Sequence, residues 1–262
     1  MKITTWNVNS LNVRLPHVLD WLKTNPVDVL AVQETKMDND KFPREAIEAA
    51  GFQVAFNGQK TYNGVALISP HNLDDVAHDI PGLDDEQKRV IAATVNGVHV
   101  VNCYVPNGQA LDSPKYEYKL GWLNSLNAYI KQLLAQHEKL VVVGDYNIAP
   151  NAADTHDPEQ WEGKILCSEL ERAALNTLLE LGLTDTWSRF DHGDSTAEDN
   201  KERFTWWDYR AAGFRRNLGL RIDHVLASDA LNQVCNDCRV DLEPRRWERP
   251  SDHAPVTAVF DI

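Results

Sequence analysis

The chain has 262 residues, 43% of them hydrophobic and 25% charged, with four cysteines and a formal net charge of −13. This composition is that of an ordinary globular protein and excludes a disulfide scaffold or a low-complexity chain. No apolar run approaches the ~18 residues of a membrane-spanning helix, and the first residues resemble a strand, not a signal peptide. We therefore expect a reduced, cytoplasmic protein without membrane contact, folded as a single domain over residues 1–262.

Short apolar runs rich in β-branched residues recur along the chain and predict strands. In chain order they are Ile3–Trp6, Val27–Val32, Val65–Ser69, Val90–Val95, Val98–Val105, Leu140–Val143, Leu220–Leu226, Val240–Leu242 and Pro255–Phe260. Between two of these runs, Asn96-Gly97 predicts a two-residue hairpin turn.

Helical periodicity appears at Val18–Lys23, Arg44–Ala50, Lys115–Ala135 and Glu169–Leu181. Ser168 and Glu171 form a capping-box pattern at the start of the last helix, so we interpret Glu171 as a cap and not as a catalytic acid. Strands outnumber helices, and some strands adjoin through hairpins. The pattern favours stacked, mixed or mostly antiparallel sheets with helices outside over an alternating βαβ fold.

Polar residues at the ends of the predicted strands are the most informative feature of the sequence. The segments are Trp6-Asn7-Val8-Asn9, Gln33-Glu34, Tyr104-Val105-Pro106-Asn107, Gly144-Asp145-Tyr146-Asn147, Arg221-Ile222-Asp223-His224 and Ser251-Asp252-His253. Functional sites form where several such loops converge at one sheet edge. A carboxylate within the apolar run Leu220–Leu226 is unfavourable unless it is paired, so Asp223 needs a partner, and an imidazole is the natural candidate.

Together these segments supply a set of functional groups suited to phosphodiester hydrolysis. The set contains the carboxylates of Glu34, Asp145, Asp223 and Asp252, the amides of Asn7 and Asn147, the phenol of Tyr104 and the imidazole of His253. Oxygen ligands with few soft donors suit Mg²⁺ or Mn²⁺ and not zinc. A divalent metal and a protonated histidine neutralise a phosphate, a carboxylate deprotonates water, and amide N–H groups stabilise the developing negative charge.

Six ordered motifs resemble those of the exonuclease III/AP endonuclease family, in that family's order and spacing and over essentially the whole chain. They are Trp6-Asn7-Val8-Asn9-Ser10-Leu11, Gln33-Glu34-Thr35-Lys36, Tyr104-Val105-Pro106-Asn107-Gly108, Gly144-Asp145-Tyr146-Asn147, Leu220-Arg221-Ile222-Asp223-His224 and Ser251-Asp252-His253-Ala254-Pro255. The resemblance implies an α/β fold, a four-layer α/β sandwich in which two mixed β-sheets pack face to face with helices outside.

The resemblance also implies a role for each polar residue. Metal-binding residues would be Asn7, Glu34, Asp145, Asn147, Asp252 and His253, with Glu34 the main ligand. Catalytic residues would be Tyr104, Asp145, Asn147, Asp223 and His253. Among these, Asp145 would activate water or protonate the leaving group, and Asn147 would orient that group. Asp223 would hold His253, which contacts the phosphate together with Tyr104. DNA contacts would come from Arg89, Asn107, Trp206, Arg210 and Arg221.

The implied activity is that of a Mg²⁺-dependent DNA-repair phosphoesterase, for which Mn²⁺ can substitute. It would act as a monomeric 3′–5′ exonuclease and 3′-phosphatase or 3′-phosphodiesterase on double-stranded DNA with 3′ ends, nicks or abasic sites. A net charge of −13 is unusual for a DNA-binding protein. Basic residues nevertheless gather at Lys201–Arg221 and at Arg245–Arg249, which predicts one basic face on an acidic body.

Two residues depart from the family pattern. Asn9 stands where some members carry an acid. Leu166 stands where AP endonucleases of the family commonly carry a small residue, beside the pocket for a flipped-out abasic sugar. Overpacking of that pocket would cost ~1–3 kcal/mol and weaken AP-site incision while leaving work at 3′ ends intact. The alternative is that Leu166 points into the core, and the sequence leaves both interpretations open.

Two other functions compete with this interpretation. One is a phosphoesterase of the same superfamily that acts on inositol phosphates or sphingomyelin, which would share the metal-binding and Asp-His residues. The Arg-rich segment Lys201–Arg221 and the motif Tyr104–Gly108 favour DNA instead. The other is a non-catalytic DNA-binding protein, which would be expected to have lost acids or the histidine, and none is missing here.

Overall fold

The fold, taken from a computed structural model, is described for residues 1–192 and 201–262. Within these residues the strands are β1 Lys2–Asn7, β2 Val29–Gln33, β3 Gln53–Asn57, β4 Val65–Ser69, β5 Asp74–His78, β6 Val90–Val95, β7 Val98–Tyr104, β8 Leu140–Asp145, β9 Leu183–Asp185, β10 Trp206–Trp207, β11 Gly219–Leu220, β12 Asp223–Ser228, β13 Cys235–Val240 and β14 Val256–Phe260. The helices are α1 Leu11–Thr24, α2 Arg44–Ala49, α3 Pro114–Leu134, α4 Pro158–Trp161, α5 Glu169–Glu180 and α6 Asp229–Asn232.

Twelve of the described strands form two six-stranded sheets, with strand orders β13-β14-β1-β2-β4-β3 and β5-β6-β7-β8-β12-β9. Each sheet contains one parallel pair, β1 with β2 in the first sheet and β7 with β8 in the second. All the other described pairings in the two sheets are antiparallel. Both sheets are therefore mixed. The hairpin between β6 and β7 turns at Asn96-Gly97, as the sequence predicts.

Alternate side chains of the buried strands face opposite layers, which fixes the order of the layers. Ile91 of β6 packs with Leu67 of the first sheet in a core between the two sheets. Its neighbour Ala92 faces the other way and packs with Trp122 of α3 and with α5. On the far side, α1 and α2 cover the first sheet through residues such as Trp21. The four-layer α/β sandwich with helices outside is confirmed.

Several predicted element bounds were wrong. The run Leu220–Leu226 is broken, because β11 pairs with β10 and a new strand begins at Asp223. Val240–Leu242 is only the end of β13 and the turn after it. The edge strand β5 has mostly exposed, polar residues, so it carries no apolar pattern that could have predicted it. Helix α1 begins seven residues earlier than predicted and contains Pro16.

Two features bear on the expectations drawn from composition. All four cysteines are buried and free. Among the described residues, no helix has both the length and the apolar character needed to cross a membrane.

Gly144 is the glycine that the sheet most clearly requires. It lies in β8 with φ +150°, and an added Cβ would sit 1.8 Å from the Cys103 carbonyl oxygen of the paired strand. We expect Gly144→Ala to lower the free energy of unfolding by roughly 2–4 kcal/mol, measured by urea denaturation with tryptophan fluorescence. The matched control is Gly97→Ala, where φ is +80° but no atom lies within 4 Å. It should cost only about 1–2 kcal/mol, and equal losses in the two variants would contradict the steric argument.

Candidate active site

The sheet topology brings the polar strand ends to one edge of the sandwich. Asn7 ends β1 and Tyr104 ends β7, each beside a parallel partner strand that ends at the same edge. β12 runs antiparallel to β8, so its first residue, Asp223, lies opposite Asp145. β14 runs antiparallel to β1, so the segment that precedes it, with His253, also arrives at this edge. The two sheets therefore bring the polar strand ends together, as the sequence predicts.

One pocket of about 340 Å³ gathers most of the predicted residues. It is lined by Glu34, Tyr104, Asn107, Asp145, Asn147, Trp161, Ile165, Leu166, Trp206, Asp208, Arg210, Ile222, Asp252 and His253. Asn7 and Asp223 lie behind this lining, where they hydrogen-bond Asp145 and His253. Arg89 lines the next groove, of about 680 Å³, which shares Tyr104 and Asn107 with the pocket.

His253 is held between two buried carboxylates. Its Nδ1 lies 2.8 Å from Asp223 Oδ2, and its Nε2 lies 3.7 Å from Asp145 Oδ2. Burial alone would lower the pKa of His253, but the negative charges of Asp223 and Asp145 raise it to about 10. The imidazole is therefore protonated at neutral pH, and its Nε2–H group faces the pocket floor.

Asn7 joins two of the acids that line the pocket. Its side-chain Nδ2 donates to Glu34 Oε1 and to Asp145 Oδ2, both at 2.9 Å. The second oxygen of Asp145 accepts from the Asn147 backbone N–H at 2.9 Å. Burial and the nearby charge of Asp223 raise the pKa of Asp145, while His253 and these hydrogen bonds oppose the rise. The net effect is that the pKa of the buried Asp145 carboxyl lies above its usual value.

The donor set at the pocket floor fits a divalent cation. Possible ligand atoms of Glu34, Asp145 and His253 all lie within 4.8 Å of one another. The two carboxylates can bind a cation directly, whereas the protonated His253 would have to lose its Nε2 proton first. Buried carboxylates repel each other unless a cation neutralises them, and hard carboxylate oxygens are the ligands that Mg²⁺ prefers. The Lys36 ammonium lies 2.7 Å from Glu34 Oε2 and supplies only part of that charge.

Asp252 stands apart from the three-ligand cluster. Its Oδ1 accepts from Asn9 Nδ2 at 2.9 Å and its Oδ2 accepts from Trp206 Nε1 at 3.0 Å. Asn9 in turn accepts from Lys36 Nζ at 2.6 Å. Sequence reasoning singled out neither Lys36 as a site residue nor Asn9 as the link to Asp252. The signal for Lys36 was its place two residues after Glu34 in the same motif.

Two amides and one phenol also line the pocket. Asn107 Nδ2 donates to Asn147 Oδ1 at 3.0 Å, and Asn147 Nδ2 donates to the Val105 carbonyl at 3.0 Å. Burial and the charges of Glu34 and Asp145 raise the pKa of Tyr104 well above its usual value. Its hydroxyl therefore keeps its proton and can act as a hydrogen-bond donor.

The residues expected to contact DNA differ in exposure. Arg210 is exposed at the pocket rim and pairs with Asp208 at 2.7 Å. Trp206 lines the pocket. Arg89 is largely buried with its guanidinium 4.8 Å from the centre of the Tyr104 ring, and it donates to the Tyr104 carbonyl.

The expected DNA contact by Arg221 is wrong. Its side chain is 4% exposed and pairs with Asp154 at 2.8 Å and Asp185 at 2.7 Å, because a buried guanidinium needs carboxylate partners. Arg245, counted in the predicted basic face, is also buried and packs against the Trp207 and Phe214 rings. The basic face is therefore smaller than the sequence indicated.

Leu166 satisfies both interpretations left open by the sequence. It is 5% exposed and packs against Ala149 and Ile222, yet it also lines the pocket. Its φ is +72°, in the left-handed region that glycine adopts at least cost. A bulky side chain occupies a backbone position that suits glycine, at the wall of the pocket.

A model of the Endonuclease/Exonuclease/phosphatase family matches residues 4–253. The chain belongs to this family. It is 35% identical to exodeoxyribonuclease III of Haemophilus influenzae, over 99% of this chain and 100% of that protein. Among solved structures, the fold matches a 3′ phosphatase, NExo from Neisseria bound to a product DNA hairpin, with 53% identity, TM-score 0.95 and full coverage of both chains. It also matches an AP endonuclease from Archaeoglobus fulgidus, with 40% identity, TM-score 0.92 and full coverage of both chains.

Removing one charged oxygen ligand tests the metal site. We expect Glu34→Gln to weaken Mg²⁺ or Mn²⁺ binding by at least the roughly 10- to 100-fold that loss of an outer-shell partner costs, measured by isothermal titration calorimetry. Glu45→Gln, on the exposed face of α2, removes the same charge elsewhere and should leave the affinity unchanged. Equal affinities in all three proteins would remove Glu34 from the ligand set.

Proposed function

We propose that this protein is a Mg²⁺-dependent DNA-repair phosphoesterase of the exonuclease III type, acting as a 3′–5′ exonuclease and 3′-phosphatase. The observation that carries the proposal is the buried Asp223–His253–Asp145 arrangement beside Glu34 on the pocket floor. An imidazolium flanked by carboxylates in an oxygen-rich pocket is suited to the hydrolysis of phosphate esters. The relatives named above are an exodeoxyribonuclease, a DNA-bound 3′ phosphatase and an AP endonuclease.

The chain's own residues divide the chemistry between them. His253, fixed by Asp223, presents Nε2–H to a phosphate oxygen and offsets negative charge as it develops. Asp145 lies on the same side and takes or gives a proton at its Oδ2 oxygen. Asn147 and Tyr104, which also line the pocket, orient the phosphate and leaving group by hydrogen bonds.

Glu34 and Asp145 would hold the cation, with Asn7 fixing both carboxylates by donating to each. When bound, the cation would supply Lewis-acid polarisation of the phosphate and neutralise the excess negative charge of the site. We propose Mg²⁺ as the physiological ion, with Mn²⁺ able to replace it, because the ligands are hard oxygens.

Double-stranded DNA is the substrate that the surroundings of the pocket favour. The groove with Arg89 and Asn107 adjoins the pocket on one side, and a groove of about 360 Å³ with Arg210 and Arg216 adjoins it on the other. Flanking grooves with arginines suit a backbone that continues past the reacting phosphate. A small inositol phosphate would use neither groove, and a non-catalytic protein would have no need for the complete set of acids.

Product analysis on a panel of substrates tests the proposal. The panel contains a duplex with a 3′-phosphate nick, a recessed 3′ end, an internal abasic site, an RNA–DNA hybrid, an inositol phosphate and sphingomyelin. We expect 3′-phosphate removal and exonuclease trimming of DNA with Mg²⁺, complete loss with chelator, and no turnover of the last two compounds. Turnover of those compounds alone would reverse the assignment.

Two single substitutions test the assigned roles on the same nicked duplex. Asp145→Asn and His253→Asn should each lower the rate by on the order of a hundredfold or more, because each removes a charge that acts on the phosphate. The controls Asp112→Asn and His78→Asn alter exposed residues that do not line the pocket and should keep the wild-type rate. Near-normal rates in the first two variants would mean that the roles are misassigned.

We further propose that Leu166 limits incision at internal abasic sites. A sugar entering the pocket from within a duplex must displace or avoid the leucine side chain, whereas a 3′ terminus reaches His253 and Asp145 without being turned out of the helix. The left-handed backbone at this position means that glycine would fit without strain.

Exchanging the side chain at position 166 tests this proposal. We expect Leu166→Gly to raise the rate of abasic-site incision by about 5- to 150-fold, the equivalent of removing ~1–3 kcal/mol of overpacking. The rate on a 3′-phosphate nick should change little. Leu166→Met keeps the bulk and should give no gain. Full abasic incision by the wild-type protein, or no gain in the glycine variant, would rule out the proposed role.

A further inference from the structure

A buried ion pair lies directly behind the active-site wall, between α3 and α5. Lys119 Nζ is 2.5 Å from Glu171 Oε1, and both side chains are 0% exposed. Lys119 occupies the buried face of α3, between Tyr116 and Trp122, where an apolar residue would be expected. A fully buried ion pair is seldom worth more to stability than an apolar pair of the same volume, so its position calls for a second explanation.

The Lys119 ammonium connects two loops that carry active-site residues. It donates to the Asn147 carbonyl oxygen at 2.7 Å and to the Asn107 carbonyl oxygen at 3.2 Å. With Glu171, these contacts use all three of its N–H donors. The two asparagines whose backbones it holds are also joined through their side chains at the pocket wall.

Glu171 extends the network to a third loop. Its Oε1 accepts from the Leu166 backbone N–H at 3.1 Å, the residue held in the left-handed conformation. Its Oε2 accepts from Ser168 N at 3.0 Å and Ser168 Oγ at 2.7 Å, which completes the cap of α5. Glu171 is therefore the predicted cap and, in addition, the partner that fixes Lys119 and the Leu166 turn.

Gly108 leaves the space that the lysine stem fills. Its φ is +90°, and an added Cβ would lie 3.2 Å from Lys119 Cδ and 2.9 Å from Ile165 Cδ1. The Asn107 loop can thus lie directly on the Lys119 stem. Three separate loops meet at one buried charge pair, and each of them also lines the pocket.

We infer that Lys119 and Glu171 are positioning residues, which fix the backbones of Asn107, Asn147 and Leu166 in the arrangement needed for turnover. The inference rests on the proposed function and adds a role that contacts no substrate. Its physical basis is that phosphate-orienting groups must be held to a fraction of an ångström, and displacements of about 1 Å can cost on the order of a hundredfold in rate.

The test replaces both charges together. In Lys119→Met/Glu171→Gln the side-chain volumes and the acceptor for the α5 cap remain, and no charge is left buried without a partner. The Asn107 and Asn147 carbonyl oxygens lose their donor, so we expect a lower melting temperature but a folded protein. We expect its kcat on a 3′-phosphate nick to be lowered about 10- to 100-fold. KM should change much less than kcat, because the substrate-contacting side chains are all still present.

The matched control separates positioning from helix packing. Asn127 lies on the same face of α3 and donates to the Ala174 carbonyl of α5 at 3.1 Å, without touching an active-site loop. Asn127→Leu should alter stability but leave kcat unchanged. Lys119→Met alone should be the least stable variant, because it leaves Glu171 charged and unpaired.

The outcomes are distinguishable from failure of the proposed function. If wild type removes the 3′-phosphate but the folded double variant keeps kcat within about threefold, the inference is overturned while the function stands. An equal loss of kcat in Asn127→Leu would also overturn it. Should the double variant not fold, Glu171→Asp decides, because it keeps the buried charge but shortens its reach to Lys119 and to the Leu166 amide. We expect a severalfold lower kcat, and an unchanged kcat would overturn the inference. If wild type is inactive on the nick, it is the proposed function that fails.

Discussion

The crowding of negative charge around His253 is the constraint on which the active site depends. Asp223 and Asp145 are buried at one sheet edge, and the partly exposed Glu34 lies beside them, so that like charges destabilise one another. The protonated imidazole neutralises part of this negative charge, and Lys36 neutralises another part at Glu34. The negative charge that is left favours binding of a divalent cation. The bound cation in turn favours binding of an anionic phosphate. Substrate preference thus follows from an electrostatic imbalance built into the fold.

Two further buried cations, near this centre, are each paired with carboxylates. Arg221 is matched by Asp154 and Asp185, and Lys119 is matched by Glu171 and two carbonyl groups. Both networks tie loops to the sandwich immediately behind the pocket. A loop held in this way can carry a reacting group with the precision usually available only to a strand or helix. The overall acidity of the chain is no obstacle to DNA binding, because the surface beside the pocket matters more than the sum.

The family's range of activities is consistent with small changes at the pocket wall. The solved relatives include a protein named as a 3′ phosphatase and one named as an AP endonuclease, with nearly the same fold. In this chain the wall carries Leu166 on a left-handed backbone, and Glu171 bonds its amide. The proposed role of Leu166 would let side-chain size at one backbone position alter which sugar can enter, without any change in the residues of the pocket floor.

Apolar periodicity predicted stacked sheets with helices outside, and polar strand ends predicted the acids, amides, phenol and imidazole of the site, because both are local patterns. The resemblance to a known family supplied the four-layer arrangement and the pocket residues Leu166, Trp206 and Arg210. The sequence also predicted that Asp223 needs a partner, with an imidazole as the natural candidate, since an unpaired carboxylate is unfavourable in so apolar a run. Only the tertiary structure decided which cationic side chains are buried in ion pairs. The sequence around an arginine does not show whether its side chain contacts DNA or a buried acid. Arg221 proved buried, Lys36 proved to lie on Glu34, and Lys119 met its partner from 52 residues away. Such pairings depend on distances between elements that no local pattern encodes.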